Sequence, residues 1–304
     1  MLGVFLMYYW LGNMTASERA EMWSKIMSAN PLWITISLIM SVLAHISRAY
    51  RWKFMLAPMG YKPKLKNTFI AVMTAYFANT FVLRSGEVLR GVSIQKSEGV
   101  PFEKAFGSVI SERIADLIML LLIMTTAIAL QSNEVLTYFK QEANPVPTII
   151  FLIVAITGGI VGLRILKRSS NPYIVNIRNF GVNLMEGVQS ILKMDNNLAF
   201  IGHTLFIWAM YIGMFWVVTF TVPELSDAPL GVILTAFIIG AFAMSATNAG
   251  MGLYPLAMGA IFAFFGYQKV DGDTFGSIIW GTQTIFNVIL GGICALTLVF
   301  NKKQ

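Results

Sequence analysis

The chain has 304 residues, 56% of them hydrophobic and 12% charged, with a net charge of +7 and a mean hydropathy of +0.68. An average soluble domain carries about 25% charged residues, so this chain lacks the polar surface that water demands. The single cysteine, Cys294, excludes an intrachain disulfide and a cysteine-based metal site, and reads as a small apolar side chain.

A helix that crosses a bilayer needs about 20 apolar residues. Met1–Trp10 is about half that length. It has neither the basic flank nor the small-residue cleavage site of a signal peptide, and reads as the end of an incomplete first helix. Thr15–Asn30 reads as an amphipathic helix at the interface, opened by a capping box of Thr15 and Glu18. Membrane segments follow at Leu32–Tyr50, Thr68–Leu83, Phe106–Leu130, Val146–Leu166, Leu198–Val222, Leu230–Thr247, Met251–Phe265 and Phe275–Phe300. The expected fold is an all-α integral membrane protein, a polytopic bundle of about seven or eight segments. One membrane domain is expected over residues 1–304, with 1–30 as its entry and 31–304 as its core. Thr68–Leu83 and Met251–Phe265 are too short to cross and read as re-entrant or broken helices.

Basic residues set the expected orientation. Arg48, Arg51, Lys53, Lys62, Lys64 and Lys66 form one stretch without an acidic residue, and Arg164, Lys167, Arg168, Arg178 and Lys193 form another, opposed by Glu186. Both are expected on the cytoplasmic side with the C-terminal Lys302 and Lys303. The connections holding Glu134, Lys140 and Glu142, and Glu224 and Asp227, are expected outside. Arg84, Arg90, Lys96 and Lys104 also follow the short segment Thr68–Leu83, so a hairpin that enters and leaves by one side fits the charge rule and a full crossing does not. The basic residues border apolar segments rather than forming a domain, which points to anionic lipid headgroups and not to nucleic acid.

Three polar constellations lie within apolar sequence. Arg84-Ser85-Gly86-Glu87-Val88-Leu89-Arg90 follows the first short segment. Gly86 there permits a tight turn, Glu87 and Arg90 stand three apart, and Arg84 offers a planar fork to a phosphate. Glu112, Arg113 and Asp116 share one sector of a helix with Ser108, at 100° per residue. Each charge near mid-bilayer costs about 2.5–3.5 kcal/mol, so these three are expected to face protein or a water-filled cavity. Their expected partners are Arg84, Arg90, Arg48 and Arg51, either as structural glue between helices or as the wall of a headgroup pathway. In the third constellation, Ser245–Gly252, the residues Asn248, Gly250 and Gly252 interrupt an apolar run and free backbone groups that need partners. The two histidines, His45 and His203, sit in no recognisable acid–base or metal motif.

The order and spacing of these elements resemble the flippase-like membrane domain of lysylphosphatidylglycerol synthases, a family also found as stand-alone proteins. The resemblance rests on Arg51-Trp52, on Gly86, Glu87 and Arg90, on Glu112, Arg113 and Asp116, and on Gly250 and Gly252. The chain departs from the family where Val82 and Leu83 replace a proline, where Thr247-Asn248-Ala249-Gly250 and Pro255 occupy the region of a Pro-Gly-Gly and a following glutamate, and near Thr282 and Gln283, where an arginine is expected. The resemblance implies a lipid flippase-like transporter without cofactor or metal, multi-pass in a bacterial cytoplasmic membrane with its C-terminus inside. Its passenger would be an anionic or aminoacylated phospholipid, and a lipid-modifying enzyme a possible partner. The soluble synthase domain of the fused enzymes is missing from this sequence, so aminoacylation is not expected of it. The same devices also suit a secondary transporter of a small solute or a non-transporting partner of a lipid-modifying enzyme; an enzyme acting on lipid phosphates lacks any recognisable acid–base motif.

Overall fold

The computed structural model describes residues 2–131 and 196–300, with the single positions 175 and 194. The expected segment Val146–Leu166 and the basic stretch after it lie outside the described residues, as do Lys302 and Lys303. The chain divides into two compact units, Met1–Ala127 with Leu198–Gln304, and Ile128–Asn197. The first is described below.

Among the described residues there are ten α-helices: α1 (Leu2–Gly12), α2 (Ala16–Ser28), α3 (Pro31–Leu56), α4 (Leu65–Phe81), α5 (Ser85–Glu98), α6 (Phe102–Leu130), α7 (Asn197–Thr219), α8 (Leu230–Ala246), α9 (Leu253–Phe264) and α10 (Lys269–Phe300). Four stretches of the described residues are long and apolar enough to cross a membrane: Pro31–Met59, Phe102–Leu130, Asn197–Thr219 and Lys269–Phe300. The chain is an all-α, multi-pass membrane protein. Local chemistry fixes the helix starts. Thr15 caps α2 in the expected box with Glu18, and the Asn30 side chain accepts from Leu32 N ahead of Pro31, whose missing N–H costs nothing in the first turn.

The two short segments fold as helical hairpins. At 1.5 Å per residue α4 is about 26 Å long and α5 about 21 Å, both below the roughly 30 Å of a hydrocarbon core. Arg84 turns the chain between them in the left-handed region, at φ 61°. Glu98 Oε1 closes the base, accepting from Lys64 N at 2.9 Å and Asn67 Nδ2 at 2.6 Å. A Cβ at Gly86 would strike Ala75 O, so glycine there lets α5 lie against α4, and its N–H donates to Asn79 Oδ1 at 2.7 Å. The second hairpin is α8 and α9, about 26 and 18 Å long. Its turn holds Ala249 at φ 49°, and Trp280 Nε1 of α10 donates to Ala249 O at 2.7 Å.

The hairpins enter from opposite ends of α10. Lys96, near the base of the first, donates to Leu298 O at the end of α10, whereas the base of the second is followed within a few residues by the start of α10. They meet at their tips, where Asn248 Nδ2 donates to Phe81 O at 2.8 Å. Phe215, Phe237, Phe262 and Phe275 interlock edge to face and bind α7, α8, α9 and α10 together. Lipid is as apolar as these rings, so their contribution is close packing more than escape from water.

The last helix starts at Lys269, six residues before the expected Phe275. Its first turns hold the buried Asp271 and Asp273, which an apolar window excludes. Both find partners on the N-terminal helices: Trp10 Nε1 donates to Asp273 Oδ1 at 2.9 Å, and Lys25 pairs with Asp271, with Glu224 at 3.0 Å and with Glu21 at 3.1 Å. Burial pulls the Lys25 ammonium down, but its bonds to Asp271, Glu224 and Glu21 outweigh that and hold it above its ordinary range. This fastening places α2, the turn at Pro223–Leu225 and the start of α10 at one end of the bundle.

Candidate functional site

Helices α3, α5 and α6 bring five charged side chains together inside the bundle. Glu112 of α6 is 2.9 Å from Arg51 Nη2 and 2.7 Å from Arg90 Nη2, with Arg48 Nε at 3.4 Å. Asp116, one turn on, meets Arg48 Nη2 at 2.7 Å and Arg51 Nη2 at 3.0 Å. Arg48, Arg51 and Arg90 are at most 5% exposed and Glu112 is 1% exposed, so the groups exchange solvent for one another. Three guanidinium groups face two carboxylates, which leaves one surplus positive charge in the enclosed cluster.

Aromatic faces and hydroxyls hold the arginines in place. The Arg90 guanidinium lies 4.0 Å above the centre of the Trp52 ring, and Trp52 Nε1 donates to Ser108 Oγ at 2.8 Å. Arg51 donates to Thr204 Oγ1 of α7 at 3.0 Å and stacks over Phe200; Arg48 lies over Tyr211. Even so, the Nε groups of Arg51 and Arg90 make no hydrogen bond, and that of Arg48 has only the 3.4 Å approach of Glu112. Such buried donors without an acceptor are costly, and they concentrate at functional sites.

At the edge of the cluster Arg113 pairs with Glu87 of α5 at 3.1 Å, and its Nη1 lies 3.8 Å from Asp116. Its side chain is 48% exposed. Between this pair and the buried arginines runs a cleft of about 20 Å³, lined in part by Arg48, Tyr76, Asn79, Glu87, Arg90 and Arg113. That is room for about one water, so the conformation is closed to anything as large as a phosphate group.

The expected site residues thus divide. Glu112, Asp116, Arg113, Arg48, Arg51 and Arg90 converge as the charge argument requires. Arg90 pairs with Glu112 rather than with Glu87, its neighbour three residues back, and Glu87 pairs with Arg113. Arg84 lies apart from the carboxylates, exposed at the tip of the first hairpin. Gly86 serves the α4–α5 contact. Asn248 joins the tips. Gly250, at φ 77°, packs against Met244, and a Cβ at Gly252, at φ 72°, would strike the backbone of α1 at Met7. Sequence reasoning named Trp52 only through the family resemblance. It passed over Thr204, Tyr76 and Tyr211, which carry no local signal within helices of uniformly high hydropathy.

The family model described as lysylphosphatidylglycerol synthase TM region matches residues 2–291. A UPF0104 membrane protein of Methanocaldococcus jannaschii is 30% identical over 94 residues, which cover 30% of this chain and 28% of that protein. The aligned part is therefore less than a third of either chain. No solved structure matches.

Proposed function

This chain belongs to the family of lysylphosphatidylglycerol synthase TM regions, and from that premise we propose that it carries a phospholipid with an anionic or aminoacylated headgroup between the leaflets of the membrane. The observation behind the reading is the cluster of Arg48, Arg51, Arg90, Glu112 and Asp116, buried yet bordering a cleft and left with one surplus positive charge. Structural glue alone has no use for that surplus, because balanced charges bind helices at lower desolvation cost.

The headgroup enters the cleft when the Glu87–Arg113 pair parts. Its phosphate meets the free edges of Arg48, Arg90 and Arg113, which suit a fork-shaped contact with oxygen. Glu87, half-buried at the mouth, faces the cationic end of an aminoacylated headgroup. The acyl chains stay in lipid. The basic residues near the base of the first hairpin, Lys62, Lys64, Lys66 and Lys96, support an orientation with that end and the end of α10 on the cytoplasmic side of a bacterial cytoplasmic membrane. An enzyme that modifies the same lipid is the natural partner. No reaction is assigned to the chain itself.

The test is lipid exchange in proteoliposomes loaded with labelled phosphatidylglycerol, aminoacyl-phosphatidylglycerol or a polyprenyl phosphate. Wild type is expected to move one of these, and Glu87→Gln and Asp116→Asn, shown to be folded, to lose at least tenfold in rate. An absence of flux for every lipid, or full flux in both variants, defeats the proposal.

A further inference from the structure

One face of α3 carries a buried polar stripe of which the lipid reading uses only the last member, Arg48. Ser37, Ser41, His45 and Arg48 follow at spacings of four, four and three, which places them on a common side of the helix, and each is at most 5% exposed. The stripe ends in the charged cluster through Arg48. Across from it, α10 supplies Gln283, whose Nε2 donates to Ser37 Oγ at 3.2 Å, and Asn287, whose Oδ1 is 3.2 Å from His45 Nε2. Ser41 Oγ is 3.3 Å from the same His45 nitrogen.

His45 lies deep in the span. By helical rise it is about 21 Å from the start of α3 and about 16 Å from its end. Its neighbours are few. On its own helix the nearest charge is Arg48. From α4 the Tyr76 ring stands 4.4 Å away between centroids, and from α7 Tyr211 reaches Tyr76, hydroxyl to hydroxyl, at 3.1 Å. From α10 the neutral Asn287 faces it. The carboxylates Glu112 and Asp116 lie beyond Arg48 and are held by the arginines. His45 Nε2 has two partners, whereas Nδ1 is buried and makes no hydrogen bond. With the Nε2 proton directed at Asn287 Oδ1, Nδ1 keeps a free lone pair within the membrane.

We propose that His45 is a proton-binding site linked to the anion site of the charged cluster, so that a proton and an anionic headgroup are taken up together. The inference rests on the reading of the cluster as a headgroup site. Its physical basis is charge balance. The enclosed cluster carries one surplus positive charge with His45 neutral and two with His45 protonated. An anion in the cleft offsets the added charge, and a proton on Nδ1, one turn from Arg48, raises the attraction for an anion. Linkage makes the effect reciprocal: the factor by which protonation tightens anion binding is the factor by which the anion tightens proton binding. Loss of both on the far side returns His45 to the neutral imidazole and the site to its closed form.

The chain has only two histidines, so both imidazoles can be followed by NMR in nanodiscs, with His203→Gln to assign the signals. His203 is half-buried beside Ser47 and Tyr50, off the stripe but next to Thr204, which holds Arg51, so it registers the charged bilayer together with the general field of the cluster. When phosphatidylglycerol replaces phosphatidylcholine, the His45 midpoint is expected to rise by at least one pH unit more than that of His203, a tenfold coupling. In proteoliposomes, phosphatidylglycerol flux by wild type should fall as pH rises through that midpoint. His45→Gln should carry lipid with a flat profile. A His45 midpoint that moves no further than that of His203, or a His45 that does not titrate between pH 4 and 9, overturns the inference. So does a wild-type pH profile retained in His45→Gln. If no lipid moves at any pH, the transport reading fails and the NMR midpoints alone decide the linkage.

Discussion

Replacing Glu112 by glutamine changes one atom and removes a charge on which three arginines converge. Arg90, Arg51 and Arg48 stand 2.7, 2.9 and 3.4 Å from its carboxylate. The amide keeps the shape and can still accept one N–H, but the enclosed balance shifts from three positive against two negative to three against one. Removing one partner of a buried ion pair costs about 3–5 kcal/mol. At about 1.4 kcal/mol per decade, that is a loss of two to three and a half orders of magnitude in the folding equilibrium. Glu87→Gln is the internal control. Its partner Arg113 is half-exposed, so the loss there should stay below about 1 kcal/mol. Both are measurable by titrating SDS into mixed micelles and following tryptophan fluorescence, with Trp52 stacked on Arg90 as a local reporter. The double variant Glu112→Gln with Arg90→Met restores a surplus of one charge and should recover more than half of the loss. If Glu112→Gln costs no more than Glu87→Gln, or Arg90→Met deepens the loss, the charge-balance account of the cluster is refuted.

Two further outcomes follow from the packing. Gly86→Ala puts a methyl group against Ala75 O and Asn79, so the first hairpin must splay; overpacking of this kind costs about 1–3 kcal/mol, and a thermal shift in detergent should register it. The Lys25 fastening should hold only within a pH window. Its own backbone bond, and then Lys25, hold Glu224 below its ordinary 4.5, so that contribution is complete above about pH 5 and is lost as pH falls through the depressed value. Lys25 is held above its ordinary 10.5, so its contribution is complete below about pH 10 and is lost as pH rises beyond the elevated value. Hydrogen exchange in α2 should be steady between these limits and quicken outside them; a smooth trend across the window would refute the fastening.

Much of this was legible in one sequence because helices in lipid announce themselves. The lengths of Thr68–Leu83 and Met251–Phe265 disclosed segments too short to cross, and the spacing of Glu112, Arg113 and Asp116 disclosed a shared face. The capping box at Thr15 rests on adjacent residues and was equally readable. Pairing between helices was not. Spacing gives the direction of a side chain around its own helix, whereas the choice of Arg90 for Glu112 over Glu87 depends on how α5 lies against α6. The approach of Tyr76 to His45 and of Lys25 to Asp271 depends likewise on contacts far apart in the chain. Asp271 and Asp273 were hidden for a further reason: two acidic residues in a helix start look like a loop until Lys25 and Trp10, some 250 residues away, satisfy them.

The tip of the first hairpin bears on how this protein meets an electric field. Arg84 stands there exposed, about 26 Å along α4 from the hairpin base, on a turn that a non-glycine residue adopts only under strain. A fixed crossing helix would hold such a charge at one depth. A hairpin returns to the side it entered, so once the Asn248 contact at its tip and the Glu87–Arg113 pair part it can tilt, and any tilt carries a full elementary charge through part of the transmembrane voltage. A complete passage is worth about 2.3 kcal/mol per 100 mV, so even a partial excursion makes the balance between tilted and upright states depend on how strongly the cell membrane is polarised.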